Sequence, residues 1–430
     1  MTRNNNRPGS LWQHRDFLKL WGAQSVTQVG TQISLLAIPL VAAITLDASA
    51  GQMGLLAAAG TSPFLFFGLI AGVVTDRMRR RPILVWTDLG RAALMTLVPL
   101  AWWLDALTFT LLISVAFAVG VLNVFFEVSY QSYLPSVVRR DQLVEGNSKL
   151  ETSRAGAQIA GPGLAGGLIQ VVGAPVALVL DAVSFLISGI LLGLIRAPEP
   201  PVAQSESRNS IVAEMREGVT YILRSPLLRP IAGCTGTANF FGGMSVAVIV
   251  LFATRELGLY AGWLGAIFAG GSVGFLVGAL LAGRAAARLG VGQAIVLGIA
   301  ISGIGGLVLP LAGGAPLASA AILMAGIAIT GVGGAIYNIT QVSLRQTITP
   351  DRMLGRLNAT MRFLVWGTLP LGNLAGGFTG GLIGLRGTLV LAGCGSLLAT
   401  LWPLLSAVRS LDSYPSEPLP EPGAAPIQAD

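Results

Sequence analysis

The sequence predicts an all-α membrane protein: twelve transmembrane helices in two parallel six-helix repeats. Three observations carry that reading. Of 430 residues, 53% are hydrophobic and only 11% are charged, with a mean hydropathy of +0.72; soluble domains carry roughly 25% charged residues. Apolar stretches near the length of about 20 residues that a spanning helix needs recur along the whole chain. The stretches fall into two sets of six, and the sets resemble each other.

In chain order, residues 1–16 are polar and lack the apolar core and small-residue cleavage site of a signal peptide, so they read as a retained N-terminus. Candidate spans follow at 17–46, 52–74, 82–104, 107–132, 144–171 and 174–195, a first half covering 17–195. Residues 196–228 interrupt them. This linker begins Pro-rich and becomes amphipathic, with Ile211, Met215, Val219 and Ile222 at helical spacing opposite Glu214, Arg216 and Glu217. The second half, 229–408, holds spans at 229–253, 261–283, 291–313, 317–342, 354–382 and 387–408. The tail, 409–430, is Pro-rich and acidic and reads as disordered. The 56 glycines suit membrane helices, where small residues let backbones approach.

Orientation follows from the basic residues. Arg3, Arg7, Arg15, Lys19, the Arg77–Arg81 cluster, Arg139, Arg140, Lys149, Arg154 and the linker arginines all fall on one side. Arg284, Arg288, Arg345, Arg352, Arg356, Arg362 and Arg409 join them, against Arg255 and Arg386 on the other side. The rule places both termini in the cytoplasm of a multi-pass protein of the cytoplasmic membrane. The pI of about 10.0 is therefore a topology signal, with no nucleic-acid partner implied, because the arginines are scattered over many loops.

The repeat is clearest between 125–150 and 336–361. At an offset of 211, Phe126 meets Tyr337, Glu127 meets Asn338, Ser129 meets Thr340 and Ser132 meets Ser343. Downstream, "GPGLAGGLI" answers "GNLAGGFTGGLIG". A shift by an even number of spans makes the repeat parallel, the arrangement that leaves a substrate site at the repeat interface near the midplane.

Between the second and third spans stands "GLIAGVVTDRMRRRPILV", a charged hairpin framed by apolar flanks. With the twelve spans and the middle linker, it resembles the major facilitator superfamily. That family's loop signature is Gly, three residues, Asp-Arg, a spacer, Gly and two basic residues. Here it reads Gly72, Asp76, Arg77, Met78, Arg79 in place of the Gly, then Arg80 and Arg81. A degenerate second copy, 274–290, keeps Gly274, Gly278 and Arg284 without the acid. The resemblance implies a conformational latch: Asp76 at a helix end can accept from a facing helix N-terminus, whose dipole favours an anion. The alternative is a plain positive-inside anchor.

In the fifth span, "AQIAGPGLAGG" is similar to the family's antiporter signature, with Gly161, Pro162 and Gly166 in place and Ala157 and Ala165 at two of its usual glycines. The segments "WTDLGRA", "SYLPSVVRRDQLVEGNS" and "APVALVLDAVSFLIS" resemble the branch that includes enterobactin exporters and macrolide efflux proteins. The resemblance implies secondary active export of a small amphiphilic molecule (a drug, antibiotic or siderophore) by proton antiport and alternating access, in a monomer without cofactor or metal. The competing reading is a nutrient importer of the same fold.

Ionisable groups inside a span cost about 2.5–3.5 kcal/mol on insertion scales, so each asks for a reason. Asp88 and Arg91, three apart on one helical face, read as a structural pair joined to the latch. Glu127 stands on a span that by resemblance lines the cavity, opposite neutral Asn338, and is the first candidate for proton coupling. Asp181 is its rival. Gln24, Gln28 and Gln32 fall four apart on the first span, and Asn123 and Gln131 flank Glu127 at the same spacing. With Asn239, Phe240, Tyr337, Asn338 and Gln341 they form the expected substrate cavity. Each amide could instead make only a helix–helix hydrogen bond.

An enzyme is excluded by the absence of any phosphate loop, metal-ligand spacing or nucleophile–base pair. The single histidine, His14, lies in the polar N-terminus, and the two cysteines, Cys234 and Cys394, sit singly in apolar runs. The topology has a direct check. Cysteines introduced at Asp47, Asp105 and Gly314 are expected to react with membrane-impermeant maleimide added to intact cells, and cysteines at Met78 and Ser207 are not; labelling of Met78 or Ser207 overturns the orientation.

Overall fold

The computed structural model of the chain describes residues 11–197, 199 and 211–415, excepting a few side chains within helices, among them those of Asp76, Ile211, Glu214 and Met215. All regular structure among the described residues is helical, and they contain no strand. In order the helices are α1 (Arg15–Leu40), α2 (Ala50–Thr61), α3 (Pro63–Arg77), α4 (Arg80–Trp103), α5 (Phe109–Gln131), the short α6 (Leu134–Val137), α7 (Leu143–Val172) and α8 (Ala174–Gly193). The linker helix is α9 (Ile211–Arg224). Then come α10 (Leu228–Leu251), α11 (Ala261–Leu289), α12 (Val291–Val308), α13 (Pro316–Ile348), α14 (Asp351–Trp366), α15 (Thr368–Leu382), α16 (Gly384–Leu398) and the short α17 (Leu401–Leu404).

Among the described residues ten helices are long and apolar enough to cross a membrane. The other two predicted spans exist but are broken. Span 52–74 divides into α2 and α3 at Ser62, because Pro63 lacks the N–H that would continue the ladder and suits the first turn of a new helix. Span 354–382 divides into α14 and α15 at Gly367. The carbonyl of Val365, freed there, accepts from Thr368 Oγ1 at 2.7 Å and from Asn239 Nδ2 at 3.0 Å. Such breaks are tolerated at membrane depth only where the freed groups find protein partners.

The chain forms two compact units, Met1–Asp47 with Ser62–Gln204, and Ala48–Thr61 with Ser205–Asp430. Helix α2, which a sequence division at residue 195 puts with the first half, thus packs in the second unit. The reason is a glycine contact: a Cβ on Gly54 would lie 2.7 Å from the Gly377 Cα of α15. Asn373 Nδ2 also donates to Thr61 Oγ1 at 3.2 Å, and Arg255 donates to the Ala48 carbonyl at 2.9 Å.

In the first unit, α8 packs on both α1 and α4, α7 packs on α1, and α5 packs on α3 and α4. Phe17, Leu20, Leu84, Tyr133, Leu192 and Ile195 form a buried cluster at the arginine-rich end, below called the basic end. In the second unit α13 lies against α11 and α12, and α10 against α15 and α16. Tyr221 and Ile222 of α9 are buried in a cluster with Ile348, Met353 and Leu357, which seats the apolar face of the linker helix.

The α11–α13 contact is a small-residue seam. A Cβ at Gly278 would meet Val332 Cα at 2.8 Å and Ala335 Cβ at 2.9 Å, and one at Gly274 would meet Ala328 Cα at 2.7 Å. Without a hydrophobic driving force between helices, such close packing holds them together. Around Gly283, on the same helix, a Cβ would meet nothing within 4 Å. Gly278→Ala is therefore expected to lower stability by about 1–3 kcal/mol through overpacking, and Gly283→Ala to leave it unchanged. Thermal unfolding of the two purified variants in detergent checks this; equal melting temperatures would remove the seam's importance.

Candidate functional site

A buried polar cluster crosses the middle of the first unit. Asp88 and Asp181 are 0% exposed and Arg91 is 3% exposed. Arg91 pairs with Asp88 through Nη2, and its Nη1 donates to Asn123 Oδ1 at 2.8 Å. Its guanidinium lies 4.1 Å from the Phe126 ring centroid and 4.3 Å from that of Phe185, two cation–π contacts. The second oxygen of Asp88 accepts from Ser188 Oγ at 2.5 Å. Asp181 contacts Ser34 Oγ of α1 and accepts from Ser184 Oγ at 3.0 Å. Four helices (α1, α4, α5 and α8) thus meet at three charges. Spacing sets this up: Asp88 and Arg91 share a face of α4, and Asp181, Ser184 and Ser188 share a face of the otherwise apolar α8.

Glu127 has a different setting. It lies one turn beyond Asn123 on α5, at a cavity of about 460 Å³ open toward the basic end. Gln24, Gln131 and Asn147 supply amides to the wall, Tyr130 an aromatic face, and Glu151 and Arg154 further charges. Among the described residues Glu127 has no ion pair and accepts one hydrogen bond, from Gln131 Nε2 at 2.9 Å. Gln24 is 8% exposed and its Oε1 has no hydrogen-bond partner. A cavity of amides, aromatics and partly uncompensated carboxylate can hold a polar or cationic head while apolar walls take the rest of a ligand.

Of the other first-span amides, Gln28 is half-buried, and Gln32 packs on Gly161 of α7, where a Cβ would lie 2.8 Å from Gln32 Cβ. Pro162 sits inside α7, which stays one continuous helix, and Gly166 is buried. In the second unit Asn239 is engaged at the α14–α15 break. Tyr337 is buried, with its hydroxyl 2.6 Å from Thr235 Oγ1. Gln341 is buried and donates to Asn338 Oδ1 at 3.2 Å, while Asn338 is exposed. Phe240 makes an edge-to-face contact with Phe241, 5.2 Å between centroids.

The charged hairpin joins α3 to α4. Asp76 lies in the last turn of α3, with its side chain outside the described residues, and Arg77 is exposed. A Cβ at Gly72 would meet nothing within 4 Å. Arg81 reaches instead to the end of α8, donating through Nε to the Leu192 carbonyl at 3.2 Å and through Nη2 to that of Gly193. The first amides of α4, at Arg80 and Arg81, donate to the Glu199 carboxylate at 2.6 and 2.9 Å, an anion on a helix N-terminus. Asp88 and Arg91 bond to Ser188 and Asn123 rather than to the hairpin arginines.

Sequence reasoning missed Ser34, Ser184, Ser188 and Glu199 as partners. Ser184 and Ser188 were detectable, since they recur three and seven positions after Asp181 on an apolar helix, whereas Ser34 lies on α1. Glu199, in a Pro-rich segment, gave no periodic signal. Removing one member of a buried ion pair leaves an uncompensated charge, at about 3–5 kcal/mol. Asp88→Asn is accordingly expected to destabilise the protein by that order, and the double variant Asp88→Asn/Arg91→Gln by less; melting temperatures of the purified variants decide it, and a double variant no better than the single one would rule out pairing as the cause.

The sequence profile of the transmembrane secretion effectors, a group of the major facilitator superfamily, matches residues 10–429. The multidrug efflux pump Tap of Mycobacterium tuberculosis is 27% identical over 437 residues, covering 98% of this chain and 99% of that protein. Macrolide efflux protein A of Streptococcus pyogenes is 22% identical over 206 residues, 48% of this chain and 51% of that protein. A bacterial homologue of the iron transporter ferroportin, solved in an inward-facing state, shares the fold with a TM-score of 0.73 at 15% identity, over 91% of this chain and 98% of that one. The chain is thus a membrane transporter and not an enzyme, and it belongs to the transmembrane secretion effectors of the major facilitator superfamily.

Proposed function

We propose that the chain exports a small amphiphilic molecule, of the drug, antibiotic or siderophore kind, across the cytoplasmic membrane in exchange for protons. The observation that carries this is the cavity at Glu127: a carboxylate without an ion pair among the described residues, set amid amides and an aromatic ring, on a helix whose Asn123 also accepts from the buried guanidinium of Arg91. Likeness to a multidrug efflux pump and a macrolide efflux protein supports the outward direction. In this reading Glu127 takes a proton or the cationic head of the substrate, but not both, which couples the two flows. Gln24, Gln131 and Tyr130 hold the substrate loosely. The two halves alternate access, with 196–228 as the cytoplasmic connection, both termini inside and the arginines of the hairpin at the cytoplasmic face.

The hairpin at Gly72, Asp76, Arg77, Arg80 and Arg81 serves as the latch, with Arg81 and Glu199 tying α4 to the end of α8. The open space at Gly72 leaves room for a helix to close on α3. Gly161 and Pro162 keep α7 close against Gln32 of α1.

Glu127→Gln keeps the shape of the side chain and cannot cycle a proton. In inverted vesicles under an imposed pH gradient, this variant is expected to lose gradient-driven drug accumulation while retaining substrate counterflow. Full accumulation by Glu127→Gln would sink the role of Glu127, and indifference of the unaltered protein to the gradient would sink proton antiport.

A further inference from the structure

Two acids of the first unit's spans, Glu127 and Asp181, stand in different settings. Glu127 faces an aqueous cavity, whereas Asp181 is sealed inside the helices. Each element packed on Asp181 contributes identifiable groups. Helix α1 brings Ser34, α8 itself brings Ser184, and α4 brings Asp88, Arg91 and Met95. Helix α5 holds Asn123, which accepts from Arg91, and Glu127, one turn further on at the cavity. Helix α7 also touches α8, but its Glu145, Lys149, Glu151 and Arg154 lie in its basic half. At 1.5 Å per residue, Asp181 sits about 10 Å along α8 from the end opposite the basic one, and Arg154 about 27 Å from that end of α7. Arg91 is therefore the one cation in range among the described residues, and it is committed to Asp88 and Asn123.

The charge count decides what Asp181 must carry. Two carboxylates and one guanidinium leave one negative charge in a place closed to solvent, and an ionised carboxylate there is costly unless paired. A proton removes the excess. The hydrogen-bond pattern accommodates it: with Asp181 protonated, its Oδ2–H donates to Ser34 Oγ, and the Ser34 hydroxyl is free to donate to Met95 Sδ, 4.0 Å away. Gly30 lets α1 close on this group, since a Cβ there would lie 2.5 Å from Asp181 Oδ1. Arg91 also keeps a donor in reserve, because its Nε is buried without a hydrogen-bond partner.

We propose that Asp181 is a proton-binding site held between α1, α4 and α8, and that Arg91 reads its occupancy. On release, the Oδ2–H bond breaks, the electron pair stays on Asp181 and the proton passes to water admitted as α1 parts from α8. Arg91 then faces two carboxylates and turns its free Nε toward the second. Because Arg91 is also bound to Asn123 and packs on Phe126 of the same helix, its movement reaches α5 at the position next to Glu127. The use of this proton in transport rests on the antiport reading above; the site itself does not.

Infrared difference spectroscopy of the full-length protein in lipid vesicles, titrated with acid and alkali, tests the site. The unaltered protein is expected to show the carbonyl stretch of a protonated carboxylic acid at a pH where exposed carboxylates are ionised. Asp181→Asn abolishes that band, Glu127→Gln retains it, and Ser34→Ala shifts it by removing its acceptor. Absence of the band, its persistence in Asp181→Asn, or its loss only in Asp88→Asn would each overturn the proposal. A band that behaves as expected, in a protein whose export ignores a pH gradient, upholds the site and refutes antiport. Gradient-driven export without the band upholds antiport and refutes the site.

Discussion

Lipid offers no hydrogen-bond partner, and the arrangement of this chain depends on that constraint. Every backbone polar group at membrane depth must be satisfied by the protein itself. Long unbroken helices meet the requirement for most of the backbone, and side chains complete it where helices end or break. The last carbonyls of α8 receive Arg81, and that of Leu194, just beyond, receives Lys19 Nζ at 2.7 Å. The Pro310 carbonyl receives Arg386, and that of Val365 receives Asn239 and Thr368. Several residues that look like free cavity or anchor groups in the sequence are therefore spent on holding helix ends.

The same constraint sorts the acids. Asp88 is tolerated at 0% exposure because Arg91 and Ser188 neutralise and bond it. Asp181 is equally buried but shares no ion pair among the described residues, where the hydroxyls of Ser34 and Ser184 receive it. Glu127 escapes the problem by opening onto an aqueous cavity. One transporter half thus contains a paired acid, a sealed acid and a wet acid on neighbouring helices, joined through a single guanidinium.

Close backbone approach is the second consequence. Helices in lipid gain little from burying apolar surface against each other, so fit decides which ones stay together. Gly274 and Gly278 bring α11 onto α13 until no Cβ could be added, and Gly54 with Gly377 joins α2 to α15. The corresponding Gly72 of α3 has open space around it. The repeat copies the residues, but only one copy uses them for permanent contact; the other leaves its helix room.

By itself the sequence determined the class of molecule, the number and order of spans, the linker helix, the repeat and the pairing of Asp88 with Arg91. Each of these follows from local composition or from helical spacing, which every chain of this pattern shares. Even the four acids and bases worth attention were legible, because a charge in an apolar span stands out against its neighbours. Tertiary structure decided the rest. The breaks at Ser62 and Gly367 hold because Val365 and Thr61 find partners far away in the chain, which no local pattern encodes. The attachment of α2 to α15 depends on two glycines 323 positions apart meeting face to face. The difference between Glu127 and Asp181 is likewise invisible in sequence: both are lone carboxylates on apolar helices, and only packing determines which one meets water and which one meets two serines.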